Sequence, residues 1–157
     1  MRVLVVSDSH GFAQRLLSVL EREADCKTVF FLGDGLSDLE RVRNRFPDRK
    51  ITAVCGNNDW GSAYTSYDDF AYRYVEGHTI IATHGHRVSV RSTLTDYLAK
   101  AQGVRADIAL YGHTHRQNRE TKQGVLFVNP GALCNGEYAV LELTKTQADV
   151  SFCRCGD

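Results

Sequence analysis

The sequence predicts an α/β fold built in layers on two sheets, and three observations carry that expectation. The first third alternates short Val-, Phe- and Ile-rich runs with longer amphipathic ones, in βαβαβ order. More apolar runs follow with a single helical stretch among them. After His115 the texture is β-structure alone. A chain of 157 residues fits one domain spanning 1–157, long enough to bury about two-thirds of its unfolded surface.

Residues 2–7 form a continuous Val-rich run, the mark of a strand buried on both faces. Residues 12–24 read as a helix, with Phe12, Leu16, Leu17, Val19 and Leu20 on one stripe and Arg15, Glu21, Arg22 and Glu23 opposite. A second strand covers 28–32. A second helix covers 36–46 and is stopped by Pro47. A third strand covers 50–55. The stretch 60–69 has no period and reads as a loop. Residues 71–75 alternate as a strand does, Glu76-Gly77 signals a turn, and 78–83 is again apolar. Residues 92–101 place Leu94, Tyr97, Leu98 and Ala101 on one helical face, and 107–111 is a strand. Residues 116–122 are polar and alternating, 125–128 are apolar, and 138–143 with 148–153 suggest a terminal hairpin.

Composition excludes several classes. Nineteen basic residues balance nineteen acidic ones, so the long-range field that draws a protein to nucleic acid or acidic membranes is missing. No apolar stretch reaches membrane-spanning length. Residues 1–6 do not read as a signal peptide. The five cysteines lack metal-knuckle spacing and are expected to be free, mostly buried thiols in a reducing cytoplasm. Cys153 and Cys155 are expected to share one face of a last strand.

The chemistry lies where strands stop. Five polar clusters each follow an apolar run: Asp8-Ser9-His10, Gly33-Asp34, Gly56-Asn57-Asn58-Asp59, His84-Gly85-His86 and Gly112-His113-Thr114-His115. Ligands of open α/β sheets bind beyond the carboxyl ends of the strands, so all five are expected along one rim. Five of the six histidines fall in these clusters, and His78 alone lies outside. Carboxylates, a carboxamide and imidazoles without thiolates suit divalent ions such as Mn, Fe, Zn or Mg. So many candidate ligands exceed the needs of one ion and fit a pair sharing a carboxylate. Taken singly, Asp8 would serve equally as a helix cap, and Asp34-Gly35 and Asn58-Asp59 as turn residues. Their joint order favours the metal.

That order, Asp-x-His, Gly-Asp, Gly-Asn-x-Asp, His-Gly-His and Gly-His-Thr-His, resembles the calcineurin-like metallophosphoesterase superfamily. Within it the chain is similar to small bacterial and archaeal phosphodiesterases of the YfcE and MJ0936 type, from Arg2 to about Gly131, with Asn129-Pro130-Gly131-Ala132 also similar. The resemblance implies a four-layer α/β/β/α sandwich of two mixed β-sheets. It implies that Asp8, His10 and His115 hold one divalent ion and that Asn57, His84 and His113 hold another. Asp34 would bridge them, and a bridging hydroxide would attack a small, perhaps nucleotide-derived, phosphodiester. Manganese is the usual ion, with iron, zinc, nickel or magnesium tolerated. Monoester or pyrophosphate-bond hydrolysis on the same site is the second enzyme expectation. A non-catalytic scaffold like the retromer subunit of this fold is the third.

The chain departs from the family at Asn58, where many members have a histidine that assists the leaving group. A carboxamide can donate a hydrogen bond there but not a proton. His86 is then the nearest candidate for a substitute acid, a phosphate-orienting group or a support behind the metal ligands, and Asp59 the candidate for orienting the loop or a ligand histidine. Trp60, Tyr64 and Tyr67 would line an aryl-binding wall, pack the loop or join copies of the chain in a homo-oligomer. Arg87 would meet phosphate or solvent.

Overall fold

The computed structural model describes residues 1–156. Strands β1 (Arg2–Val6), β2 (Thr28–Phe31) and β3 (Lys50–Ala53) lie parallel, with α1 (Ala13–Arg22) and α2 (Leu36–Val42) as crossovers. A hairpin of β9 (Glu137–Leu143) and β10 (Ala148–Arg154) adds antiparallel to β1, giving the sheet order β10-β9-β1-β2-β3. The second sheet contains β4 (Phe70–Val75), β5 (His78–Thr83), β6 (Ile108–Leu110), β7 (Gln117–Lys122) and β8 (Val125–Pro130) in the order β4-β5-β6-β8-β7. Its three central strands are parallel, its edges antiparallel, and α3 (Thr95–Gly103) links β5 to β6.

Strand alternation deals these residues into three cores. Leu4, Val6, Val29 and Phe31 pack with Leu16, Leu20 and Leu39 of the first two helices. Val3, Val5, Phe30 and Leu32 meet Ile80, Ala82, Ile108 and Leu110 between the sheets. Ile81, Ala109 and Phe127 meet Tyr97 and Ala101 of α3. The result is the expected α/β/β/α sandwich. Each of the large buried side chains contributes about 1.5–3 kcal/mol. The parallel strands of both sheets carry their carboxyl ends to one rim. Among the described residues no helix is long and apolar enough to cross a membrane.

Several expectations need correction. Phe12 does not join the buried stripe of α1. It is the residue before the helix and 47% exposed, with the Arg15 guanidinium 4.6 Å above its ring. The second helix ends at Val42 and continues only as a 3-10 turn over Arg43–Arg45. The alternating stretch 116–122 agrees with its β reading: it is edge strand β7, and as an edge it needs no apolar run. All five thiols are free, but only Cys26 is fully buried. Cys153 and Cys155 both pack against the first core, although β10 ends between them.

His78, the histidine outside the clusters, ties the sheets together at the end opposite the rim. Its Nδ1 lies 2.6 Å from Asp107 Oδ2, and its Nε2 lies 2.7 Å from the Thr144 carbonyl and 3.3 Å from that of Gln147. Both nitrogens face acceptors, so the doubly protonated ring satisfies every contact. Burial opposes that charge, but Asp107 and the carbonyls outweigh it and raise the pKa above the ordinary histidine value. A raised native pKa contributes stability below the unfolded value and loses it as pH rises through the native one. Replacing His78 by glutamine is therefore expected to cost about 1–3 kcal/mol near pH 6. The gap from the wild-type chain should narrow as pH rises above the ordinary histidine range and through the raised native value. Denaturant unfolding of both proteins across that range measures it, and a pH-independent gap would contradict the assignment.

Candidate metal centre

Five strand ends supply the rim. Asp8 and His10 follow β1, Asp34 follows β2, the 56–59 loop follows β3, His84 follows β5, and His113 and His115 follow β6. Asp8 and Asp34 are 0% and 3% exposed. Nε2 of His115 lies 3.0 Å from Asp8 Oδ1 and 3.2 Å from His10 Nε2, and the latter is 3.5 Å from the same Asp8 oxygen. On the other side His84 Nε2 lies 3.3 Å from Asp34 Oδ2 and 3.2 Å from His113 Nδ1. Asp34 Oδ2 stands between the two groups, 3.7 Å from His10 Nε2. Among the described residues, donor atoms of Asp8, His10 and His115 cluster within 4.8 Å of one another, as do those of Asp8, Asp34 and His84.

These separations suit metal ligands. Bonds of about 2.1 Å put neighbouring donors about 3.0 Å apart in an octahedron and about 3.4 Å apart in a tetrahedron. The tautomers also fit. The Leu32 carbonyl, 2.7 Å from His84 Nδ1, must receive a proton from it, so a metal ion would take Nε2. Without an ion, burial opposes the charged ring, but Asp34 and Asp8 outweigh it and raise its pKa. The contrast with His78, where both nitrogens are engaged outside the rim, separates a ligand-competent ring from a structural one. Burial and the positive charges of His84 and Arg91 push His113 down to about 4, so its ring is neutral at pH 7. The hydrogen bond to Asp8 raises His115 despite burial. Burial would raise Asp34, but His84 and two hydrogen bonds from Asn58 hold it well below the usual carboxylate range.

The backbone is bent to make this convergence. Asp8, His10, Asp34, His113 and His115 all have positive φ, between 44° and 68°. Non-glycine residues rarely adopt this region, and such conformations cluster where function demands them. Gly112 is required for a second reason: a Cβ there would overlap Ser7 Oγ and approach Asp8 Oδ2 to 2.7 Å.

A surrounding layer fixes the loops. The Asp59 carboxylate accepts four backbone N–H groups, from Asp34 at 2.6 Å, Gly35 at 2.9 Å, Leu36 at 3.0 Å and Gly56 at 2.9 Å. It thereby caps α2 and clamps the Asp34 turn, and so acts as a positioning residue. Asp38, buried, accepts from Ser9 Oγ at 2.6 Å and from the Gly11 N–H at 2.9 Å, which pins the Asp8–His10 loop to α2. Asn129 donates to the Gly112 carbonyl and to Thr114 Oγ1, both at 3.0 Å. Sequence reading missed Asp38 and assigned Asn129 no contact. An Asp three residues after Gly35, at the start of a helix, was the available signal for Asp38.

The remaining candidates fall as follows. Asn58 turns inward, donating Nδ2 to Asp34 Oδ2 at 2.7 Å and N–H to Oδ1 at 2.8 Å. Its carboxamide is thus committed to Asp34. Asn57 is exposed on the same loop, and its side chain makes no hydrogen bond among the described residues. His86 is beside the centre, its ring 5.5 Å from that of His84 and 6.2 Å from that of His113. Burial and the charge of His84 lower its pKa, which favours the neutral ring. Asp8 caps no helix, since α1 begins after Phe12. Tyr67 hydrogen-bonds Glu40 and Arg43 and packs against the first core, while Trp60 is 80% exposed. Arg87 pairs with Asp69 at 3.2 Å.

Two outcomes follow from this geometry. Asp59→Asn offers one oxygen to four donors and turns an amide N–H toward them, so its expected cost is about 2–4 kcal/mol, read as a lower unfolding midpoint. A divalent ion bound to the native chain alone must raise the melting temperature. Manganese titrated into metal-free protein should do so, and Asp34→Asn should abolish most of the shift.

The family model for the calcineurin-like phosphoesterase superfamily domain matches residues 1–146. A probable metallophosphoesterase of Bacillus subtilis strain 168, YsnB, is 32% identical over 97% of this chain and 90% of its own. The phosphodiesterase MJ0936 of Methanocaldococcus jannaschii is 28% identical, over 85% of each. The crystal structure of a conserved protein of Streptococcus pneumoniae TIGR4, described as a predicted phosphoesterase, superposes with a TM-score of 0.81 at 28% identity, covering 98% of this chain and 88% of that one. Zinc-complexed Vps29 of Entamoeba histolytica shares the fold at a TM-score of 0.74 and 19% identity, with 99% and 98% covered. Family model, full-length relatives and rim together identify this chain as a member of the calcineurin-like phosphoesterase superfamily, a metal-dependent phosphoester hydrolase.

Proposed function

We propose that the chain is a dinuclear phosphodiesterase of the cytoplasm that hydrolyses a small phosphodiester, with manganese as its working ion. The observation that carries this reading is the position of Asp34 Oδ2 between His10 and His84, 3.7 Å from one and 3.3 Å from the other. Asp8, His10 and His115 would hold one ion, and His84, His113 and Asn57 the other. Such a pair supplies Lewis acidity toward the phosphoryl oxygens and a hydroxide at neutral pH.

The chain's own groups do the rest. Asp8 and Asp34 carry the negative charge that retains the cations. Asn58 holds the Asp34 carboxylate in one orientation through both of its oxygens. His86, its ring beside those of His84 and His113, would orient a phosphoryl or leaving-group oxygen through a ring N–H. Asn58 is engaged elsewhere, so diesters with acidic leaving groups are the expected good substrates. Water adds to phosphorus and one P–O ester bond breaks, leaving a monoester and an alcohol. The phosphodiesterase name of the archaeal relative supports diester over monoester hydrolysis.

The test is an assay of metal-free protein on bis-p-nitrophenyl phosphate and p-nitrophenyl phosphate, with and without manganese. Turnover of the diester should need the ion and exceed that of the monoester. Asp34→Asn and His113→Ala should each lower it on the order of a hundredfold or more. Metal-independent turnover, or none, would overturn the reading; no turnover would favour a scaffold of the same fold. Faster monoester hydrolysis would assign monoesterase activity instead.

A further inference from the structure

Beside the rim lies a cavity of about 720 Å³ that shares a wall with the metal centre. The shared wall is the loop carrying His113 and His115: Thr114 lines the cavity, and Arg91, also lining it, donates Nη2 to the His113 carbonyl at 3.3 Å. Arg116 and Lys122 complete a cationic lining. Glu120, also in the lining, is already engaged, with Lys122 at 3.7 Å and the Asn118 amide at 3.0 Å. Of the other surface arginines, Arg2, Arg43, Arg45, Arg87 and Arg154 meet carboxylates, whereas Arg22, Arg41, Arg73, Arg105 and Arg119 meet none among the described residues and do not line this cavity. Arg91 and Arg116 meet none among the described residues. Two guanidinium forks left without carboxylates, in one cavity, in a chain of zero net charge, are poised for an anion. The charge of Arg91 is also felt at His113 and His115, which places it within electrostatic reach of the centre.

We propose that this cavity is a second anion subsite in which Arg91 and Arg116 grip a phosphate of the substrate beyond the scissile one. The preferred substrates are then phosphodiesters that carry an additional phosphate, as a nucleotide with a second phosphorylated hydroxyl does. The inference rests on the hydrolase reading above and narrows its substrate class.

The test compares thymidine 5′-(p-nitrophenyl phosphate) with the same molecule bearing a 3′-phosphate. Both release p-nitrophenolate, so the chemistry at the scissile phosphorus is held constant. With manganese, the wild-type chain should favour the 3′-phosphorylated substrate by about tenfold or more in kcat/KM, mostly through KM. In the Arg91→Gln/Arg116→Gln double variant that ratio should fall to near one. Because the readout is a ratio, any general disturbance of the His113 loop cancels. A wild-type ratio near one, or a ratio retained in the variant, overturns the subsite. If bis-p-nitrophenyl phosphate is still hydrolysed in either case, the hydrolase reading survives without it. If no ester is hydrolysed with metal, both fall together.

Discussion

Two carboxylates buried side by side are the constraint on which this molecule turns. Asp8 and Asp34 lie almost wholly out of solvent, and neither pairs with a lysine or arginine among the described residues. A buried charge without compensation is among the most costly features a fold can carry. Here compensation comes from imidazoles of both sheets and from the backbone N–H groups of Asn58 and His113. Imidazoles compensate only while protonated: Asp34 and Asp8 favour that state at His84 and His115, whereas burial holds His113 neutral at pH 7. Divalent cations would take the place of those protons, and the spacing of the donors is that of a coordination shell.

The rest of the architecture reads as what that demand requires. Asp8 and Asp34 come from the helix-flanked first sheet, and His84, His113 and His115 from the second. Stacking the sheets face to face through Val5, Phe30, Ile80 and Leu110 brings the two donor sets together at one rim. Positive φ at five donor residues is unfavourable locally and is stabilised by Asp59, Asp38 and Asn129, each tying a loop through backbone groups. His78 closes the opposite end, so the rim is held from both ends of the sandwich.

Much of this was legible in the sequence because strands announce themselves by continuous apolar runs, and chemistry placed at their ends inherits the order of the sheet. The layers and the meeting of Asp8, His10, Asp34, His84 and His113 follow from that. What was not legible depends on where side chains turn. Asn57 and Asn58 are identical in composition, and only the loop conformation commits Asn58 to Asp34. Phe12 fits the helical stripe by spacing yet lies before the first helical turn. Arg91 lies five residues beyond His86 in a stretch without period, and its approach to the His113 carbonyl is purely tertiary.

The proposed dinuclear centre requires the Asp34 carboxylate to join two metal ions. Electron paramagnetic resonance of the manganese-loaded protein tests it most directly. At two ions per chain the spectrum should be that of an exchange-coupled pair, and Asp34→Asn should remove the coupling. An isolated-ion hyperfine pattern at saturation, unchanged by that substitution, would contradict the account.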